Sequence, residues 1–140
     1  MKNIFAIFLI IITLLALLVY LITYANDSYY DRMLSTKTGL RFSRQSIQLF
    51  YEQNKRFPDS LHELDDYAKK FPENIKIYFS PGEVISSNNV FRSEHQVLDS
   101  TGGLYYDPNK GEIKINLTKP LKSYWIFYYG EGRNEVPADW

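Results

Sequence analysis

"TGGLYYDPNKGEIKINL", residues 101–117, decides the fold. Leu104 and Tyr106 share one face, and after a break Ile113, Ile115 and Leu117 alternate with Glu112, Lys114 and Asn116. Two runs of period two joined by a Pro- and Gly-containing turn predict a β-hairpin. Pro108 sets φ for a type I turn, Asp107 can bond back to the turn amides, and Gly111 can take the positive φ that closes it. These three residues are the expected turn.

Outward from the hairpin the chain reads as further short strands. "YWIFYY" (124–129) is apolar on both faces and is expected to be a strand covered on both sides, a core element rather than a stacking platform. "GEGRNEVPADW" (130–140) reads as a loop or tail. Upstream, 75–79 reads as a strand, "SPGE" (80–83) as a turn, and 84–99 as irregular or weak strand with a loop tip at Ser86, Ser87, Asn88 and Asn89. Residues 75–140 are therefore expected to form an antiparallel sheet with a C-terminal loop. In residues 55–72, Phe57 before Pro58 marks a turn. Ser60 with Glu63 forms a capping box opening a short helix with Leu61, Leu64 and Tyr67 or Ala68 inward, and Pro72 ends it.

Residues 26–54 contain no Pro and keep a helical period. Tyr29, Met33, Thr36, Leu40, Ile47 and Tyr51 fall on one line, with Phe50 beside them, and that stripe needs a core. Phe42 and Leu49, seven apart, fall on the opposite face. Two readings fit them: scattered exposed apolar residues, which are common, or a contact with another subunit or the membrane surface. Gly39 is a candidate bend.

Residues 4–22 carry no charge and include 15 Leu, Ile, Phe and Val. At 1.5 Å per residue they span roughly 28 Å, one hydrocarbon thickness. The same residues contribute on the order of −4 to −9 kcal/mol to insertion. A transmembrane anchor over 1–25 is expected, with an extracytoplasmic domain over 26–140. The rival, a cleaved signal peptide, normally has a shorter apolar run, and Thr23-Tyr24-Ala25 is a poor cleavage site. Lys2 before the span and Asp27 and Asp31 after it favour a cytoplasmic N-terminus.

Composition narrows the partners. Sixteen Lys and Arg balance sixteen Asp and Glu, so the basic footprint of a nucleic-acid binder is missing. With no Cys there is no disulfide framework, thiolate site or acylated Cys, and the core must rest on packing, supplied by 12 Tyr, 9 Phe and 2 Trp. His62 and His95 stand in no metal-ligand spacing, and Asp65 and Asp66 point about 100° apart on a helix. No phosphate loop or nucleophile elbow occurs. The chain is expected not to be an enzyme, to hold no cofactor and to take no evident small-molecule substrate. Asn116-Leu117-Thr118 is a glycosylation sequon, relevant only in a host that glycosylates.

The order of anchor, long helix, aromatic-Pro turn, short helix and hairpins resembles the type IV pilin and type II secretion pseudopilin family, in particular the globular part of the major pseudopilin. "LFYEQNKRFPDSLHEL" (49–64) is similar to that family's helix end, Tyr/Phe-Pro and Leu-x-x-Leu pattern. "GGLYYDPNKGEIKIN" (102–116) is similar to its Gly-Gly-aromatic-x-Tyr-Asp-Pro-x-x-Gly hairpin. The resemblance implies an α+β, pilin-like fold in which a long N-terminal helix packs on a small antiparallel sheet. It also implies a single-pass protein of the bacterial inner membrane with a periplasmic domain, partnered by other envelope or pilin-like proteins.

The family's Gly-Phe-Thr-Leu-Ile-Glu does not occur, and no Gly precedes Gly39, so the anchor is expected to stay uncleaved. Glu131, Glu135 and Asp139 stand where the family's calcium loop would be sought, but their spacing matches no known loop. Two functions fit: a structural subunit or accessory of a secretion or pilus assembly, or a non-polymerising anchored module that binds a peptide, glycan or cell-wall ligand.

Overall fold

The computed structural model describes residues 2–69, 75–80, 83–125 and 128–140. The protein is α+β. One helix, α1 (Lys2–Asn54), runs unbroken for 53 residues, roughly 80 Å, and joins the apolar segment to the domain without a linker. Its large apolar side chains from position 4 to 22 are 39–73% exposed. The helix is long and apolar enough near its N-terminus to cross a membrane.

From Tyr29 onward the same helix is clad. Met33, Leu40, Ile47 and Phe50 are buried, as the stripe requires, whereas Tyr51 stays exposed and stacks on Phe57, ring centres 4.7 Å apart. The buried arc is wider than the stripe because α1 packs against two sheets. Thr36, within the stripe, is buried as well, and Gly39, Ser43 and Ser46 extend the arc beside it, the Thr36, Ser43 and Ser46 hydroxyls turned back onto the carbonyls of Arg32, Gly39 and Phe42. At Ser43 and Ser46 the back-bonded hydroxyl is satisfied within its own helix, so a small polar residue is buried there without a tertiary partner; the Thr36 hydroxyl also accepts from the Tyr78 amide (3.0 Å). Gly39 marks a close approach within a continuous helix: a Cβ there would lie 2.6 Å from Ile77 Cγ1.

The first sheet pairs β1 (Lys76–Ser80) with β2 (Glu83–Ser86), antiparallel. In the second, β3 (Glu94–His95) runs parallel to β4 (Leu104–Asp107), which is antiparallel to β5 (Glu112–Ile115). In place of the single antiparallel sheet expected over 75–140, the described residues form two small sheets, one of them mixed. Between them a 3₁₀ helix, Ser87–Arg92, occupies the expected loop tip and turns Val90 and Phe91 into the core.

The short helix begins as a 3₁₀ turn, Leu61–Leu64, and continues as α2 (Asp65–Ala68). The Ser60 hydroxyl accepts from the His62 amide, while Glu63 reaches back to the Asp59 amide at 2.7 Å, one residue before the expected partner. Leu61 and Leu64 are buried and Tyr67 is half-buried. Pro72, the "PG" of the 80–83 turn, and Ile126 and Phe127 lie outside the described residues.

Of the strand expected over 124–129, the described residues 124, 125, 128 and 129 are not in strand. A 3₁₀ turn, Leu121–Ser123, opens the segment; the Trp125 amide donates to Leu121 O (2.8 Å) and the Tyr128 amide to Trp125 O (2.9 Å). Leu121, Trp125 and Tyr128, spaced by four and three, are buried with Met33, and Tyr29 stacks on Trp125 at 5.4 Å. Nor is 130–140 a free tail. The Leu121 amide donates to Glu135 O (2.9 Å) and the Ala138 amide to Leu117 O (3.0 Å), docking a last 3₁₀ turn, Pro137–Asp139, beside β5.

Candidate functional site

The hairpin turn is built as its residues dictate. The Lys110 amide donates to Asp107 O (3.3 Å) and the Asn109 amide to Asp107 Oδ1 (3.0 Å), and Gly111 takes φ +62°. The Lys110 ammonium, 3.1 Å from Asp107 Oδ2, holds that carboxyl below its ordinary range. Gly111 is needed twice over, since a Cβ there would also lie 2.3 Å from Phe57 Cδ1. The Tyr106 hydroxyl donates to Pro58 O (2.8 Å), and burial pushes its pKa up. The two stretches that carry the family resemblance, remote in sequence, therefore touch: the 107–111 turn sits on the Phe57-Pro58 corner.

Phe42 and Leu49 are separated by the structure. Phe42 is half-buried and packs against the main core. The neighbouring Arg44 guanidinium donates to Ile113 O (3.4 Å) and Trp140 O. Leu49 is 40% exposed, and with Leu34 it leaves a sparse apolar strip on the clad half of α1.

Of the acidic trio, Glu135 is engaged: its Oε2 accepts from Lys37 Nζ (2.5 Å) and Trp140 Nε1 (2.6 Å), and Lys37 also lies 5.0 Å from the centre of the Trp140 ring. Glu131 and Asp139 are exposed. Among the described residues no three His, Asp or Glu side chains converge on a metal-sized site. His62, His95, Asp65 and Asp66 are exposed.

Asn116, a candidate sequon residue, is fully buried and fastens a loop. Its Oδ1 accepts from the Asp99 (2.9 Å) and Ser100 (3.1 Å) amides, and its Nδ2 donates to Asp99 Oδ1 (2.9 Å) and Thr101 Oγ1 (3.2 Å). Thr101 and Asn116 together hold the Asp99 carboxyl down at about 2. Strand alternation points Asn116 outward, and only the loop folding over it reverses that; the polar run Asp99-Ser100-Thr101 is the one local hint. No family model matches the chain, and no curated protein or solved structure matches it.

Proposed function

We propose that the protein is a membrane-anchored, pilin- or pseudopilin-like structural subunit of a cell-envelope assembly, with its N-terminus in the cytoplasm and its domain on the far side of the bacterial inner membrane. The observation that carries this reading is the linker-free helix: α1 passes from its bare apolar half into the core of the domain within one hydrogen-bonded rod. A tethered ligand-binding module works best on a flexible tether that lets it search. A subunit of an ordered assembly instead needs a fixed angle between its membrane-borne helix and its outer domain. The resemblance of 49–64 and 102–116 to pseudopilins points the same way, as does their contact at Phe57 and Gly111.

The test is photo-cross-linking in membranes of the native host, with a photoreactive residue at Leu18 in the bare half or Leu49 on the clad half. Adducts at multiples of the chain's own mass, or to another anchored envelope subunit, support the reading. Monomer alone at both positions overturns it and leaves the solitary binding module.

A further inference from the structure

Three of the 12 tyrosines are left largely bare: Tyr20 at 64% exposure, Tyr24 at 66% and Tyr129 at 62%. The others are buried or half-buried, apart from Tyr51 at 39%, which stacks on Phe57. Tyr20 and Tyr24 flank Ile22 on α1. Tyr129 lies 103 residues beyond Asn26 in the chain, yet its amide donates to Asn26 Oδ1 (2.9 Å). The fold thus returns the C-terminal segment to the end of the apolar run. Tyr128 next to it is buried with Met33 and Trp125, so the backbone that presents Tyr129 is fixed in the core.

The three share a level. With Ile22 as the hydrocarbon boundary, Tyr20 stands roughly 3 Å inside it, Tyr24 roughly 3 Å outside and Asn26 roughly 6 Å outside, within a headgroup layer about 5–7 Å deep. The Asn26 side chain leans toward the helix N-terminus, and so toward the bilayer, and the Tyr129 amide is bonded to it. That bond keeps the Tyr129 backbone within about 9 Å of the helix axis, so a 20° tilt alters its depth by only about 3 Å. Tyr24 and Asn26 point about 160° apart on α1, which puts Tyr129 on the other side of the rod from Tyr24. Ile22, one turn before Asn26 on the same face, is at 39% the least exposed large apolar side chain of residues 4–22, as expected where the edge of the domain comes down to that turn.

We infer that Tyr129 is an interfacial foot, through which the C-terminal segment rests in the lipid headgroup layer and completes, with Tyr20 and Tyr24, an aromatic belt built from both ends of the chain. One exposed aromatic residue needs no partner. Three at one level, with no other tyrosine as bare, match the one medium found at that level: a phenol ring packs against acyl and glycerol carbons while its hydroxyl bonds to phosphate, ester or water. Tyr20 and Tyr24 set the depth of the rod, and a contact from the domain on the other side opposes its rocking.

The inference rests on residues 4–22 lying in a bilayer, and the experiment separates the two. The chain has no Cys, so Leu14→Cys, Asn109→Cys and Tyr129→Cys each carry one nitroxide in the full chain, reconstituted in phosphatidylcholine vesicles. Asn109 is the solvent reference, exposed on the hairpin turn that sits against Phe57. Collision with a water-soluble nickel chelate is expected to fall severalfold from position 109 to 129 and to vanish at 14, because the hydrated chelate is excluded from lipid. In the unsubstituted chain, saturating the lipid choline methyls should attenuate the Tyr129 ring resonances, assigned by their loss in Tyr129→Phe, and spare those of Tyr51. Chelate access at 14 overturns the anchor. Protection at 14 with 129 as open as 109, or a Tyr129 ring untouched by choline saturation, overturns the foot alone. Equal protection at 109 and 129 means that the domain lies flat on the membrane and overturns it too. Protection at 129 that disappears when the protein is diluted with further lipid assigns the residue to a contact between copies and overturns the lipid assignment.

Discussion

The two halves of α1 are one helix with two side-chain distributions. Over residues 4–22 large apolar side chains cover every face and stay exposed; from Met33 to Phe50 most of them sit on one arc and are buried, while the opposite faces carry charge and only Leu34 and Leu49 stay exposed. The contrast teaches that helical continuity here is set by backbone hydrogen bonds and the lack of Pro, and that the medium is set by side-chain distribution alone.

Substitutions that respect or violate this division should rank accordingly. The largest effect is expected for Leu40→Asp, which places a carboxylate where Leu40 is 1% exposed. A loss of more than about 4 kcal/mol should abolish the cooperative near-ultraviolet melt of the domain, since whole domains are stable by only roughly 5–15 kcal/mol. The bare half should still hold the chain in detergent micelles.

Gly111→Val comes next, through its positive φ and its contact with Phe57. It should cost about 2–3 kcal/mol, seen as a lowered Tm with residues 4–22 unaffected. Gly39→Ala is smaller because two effects oppose: helix propensity gains about 1 kcal/mol, while the overlap with Ile77 costs about 1–3 kcal/mol. The net is a modest destabilisation in a Tm measurement, and it shrinks when combined with Ile77→Ala, which removes the overlapping atoms.

Asp99 should give a pH signature confined to the clad half. Its folded pKa, about 2, lies below the ordinary 3.8, so its contribution is full above the ordinary value and is lost as pH falls through about 2. Amide exchange at Ser100 and Thr101 should quicken over that window and be insensitive to it in Asp99→Asn. The smallest effect belongs to Leu49→Asp, within about 0.5 kcal/mol of the parent in melting, because the side chain is already half in water. Unfolding by Leu49→Asp would break the comparison outright.

The legible parts of the fold were those where local chemistry and tertiary environment agree. Pro108 and Gly111 demand a turn wherever they are placed, and Leu40 and Ile47 need cover on any helix. What misled was apolar density without a period: "YWIFYY" reads as a buried strand, yet Leu121, Trp125 and Tyr128 keep a helical spacing that begins right after Pro120 and is visible only once the window is moved upstream. The β3–β4 parallel pairing spans two residues and leaves no pattern. Asn116 looked like a surface acceptor because the loop that buries it is held by Asn116 itself.

With residues 4–22 in a bilayer, as proposed, the linker-free rod also makes the attached domain a gauge of bilayer thickness. A membrane thinner than the apolar segment is accommodated partly by tilting the helix, commonly by about 20°. Asn54 lies 32 residues beyond Ile22, roughly 48 Å along the axis, so a 20° tilt pivoting at the hydrocarbon boundary sweeps it sideways by about 16 Å. Without a flexible joint to absorb the angle, a few ångströms of lipid thickness become a displacement of the hairpin comparable to three strand widths.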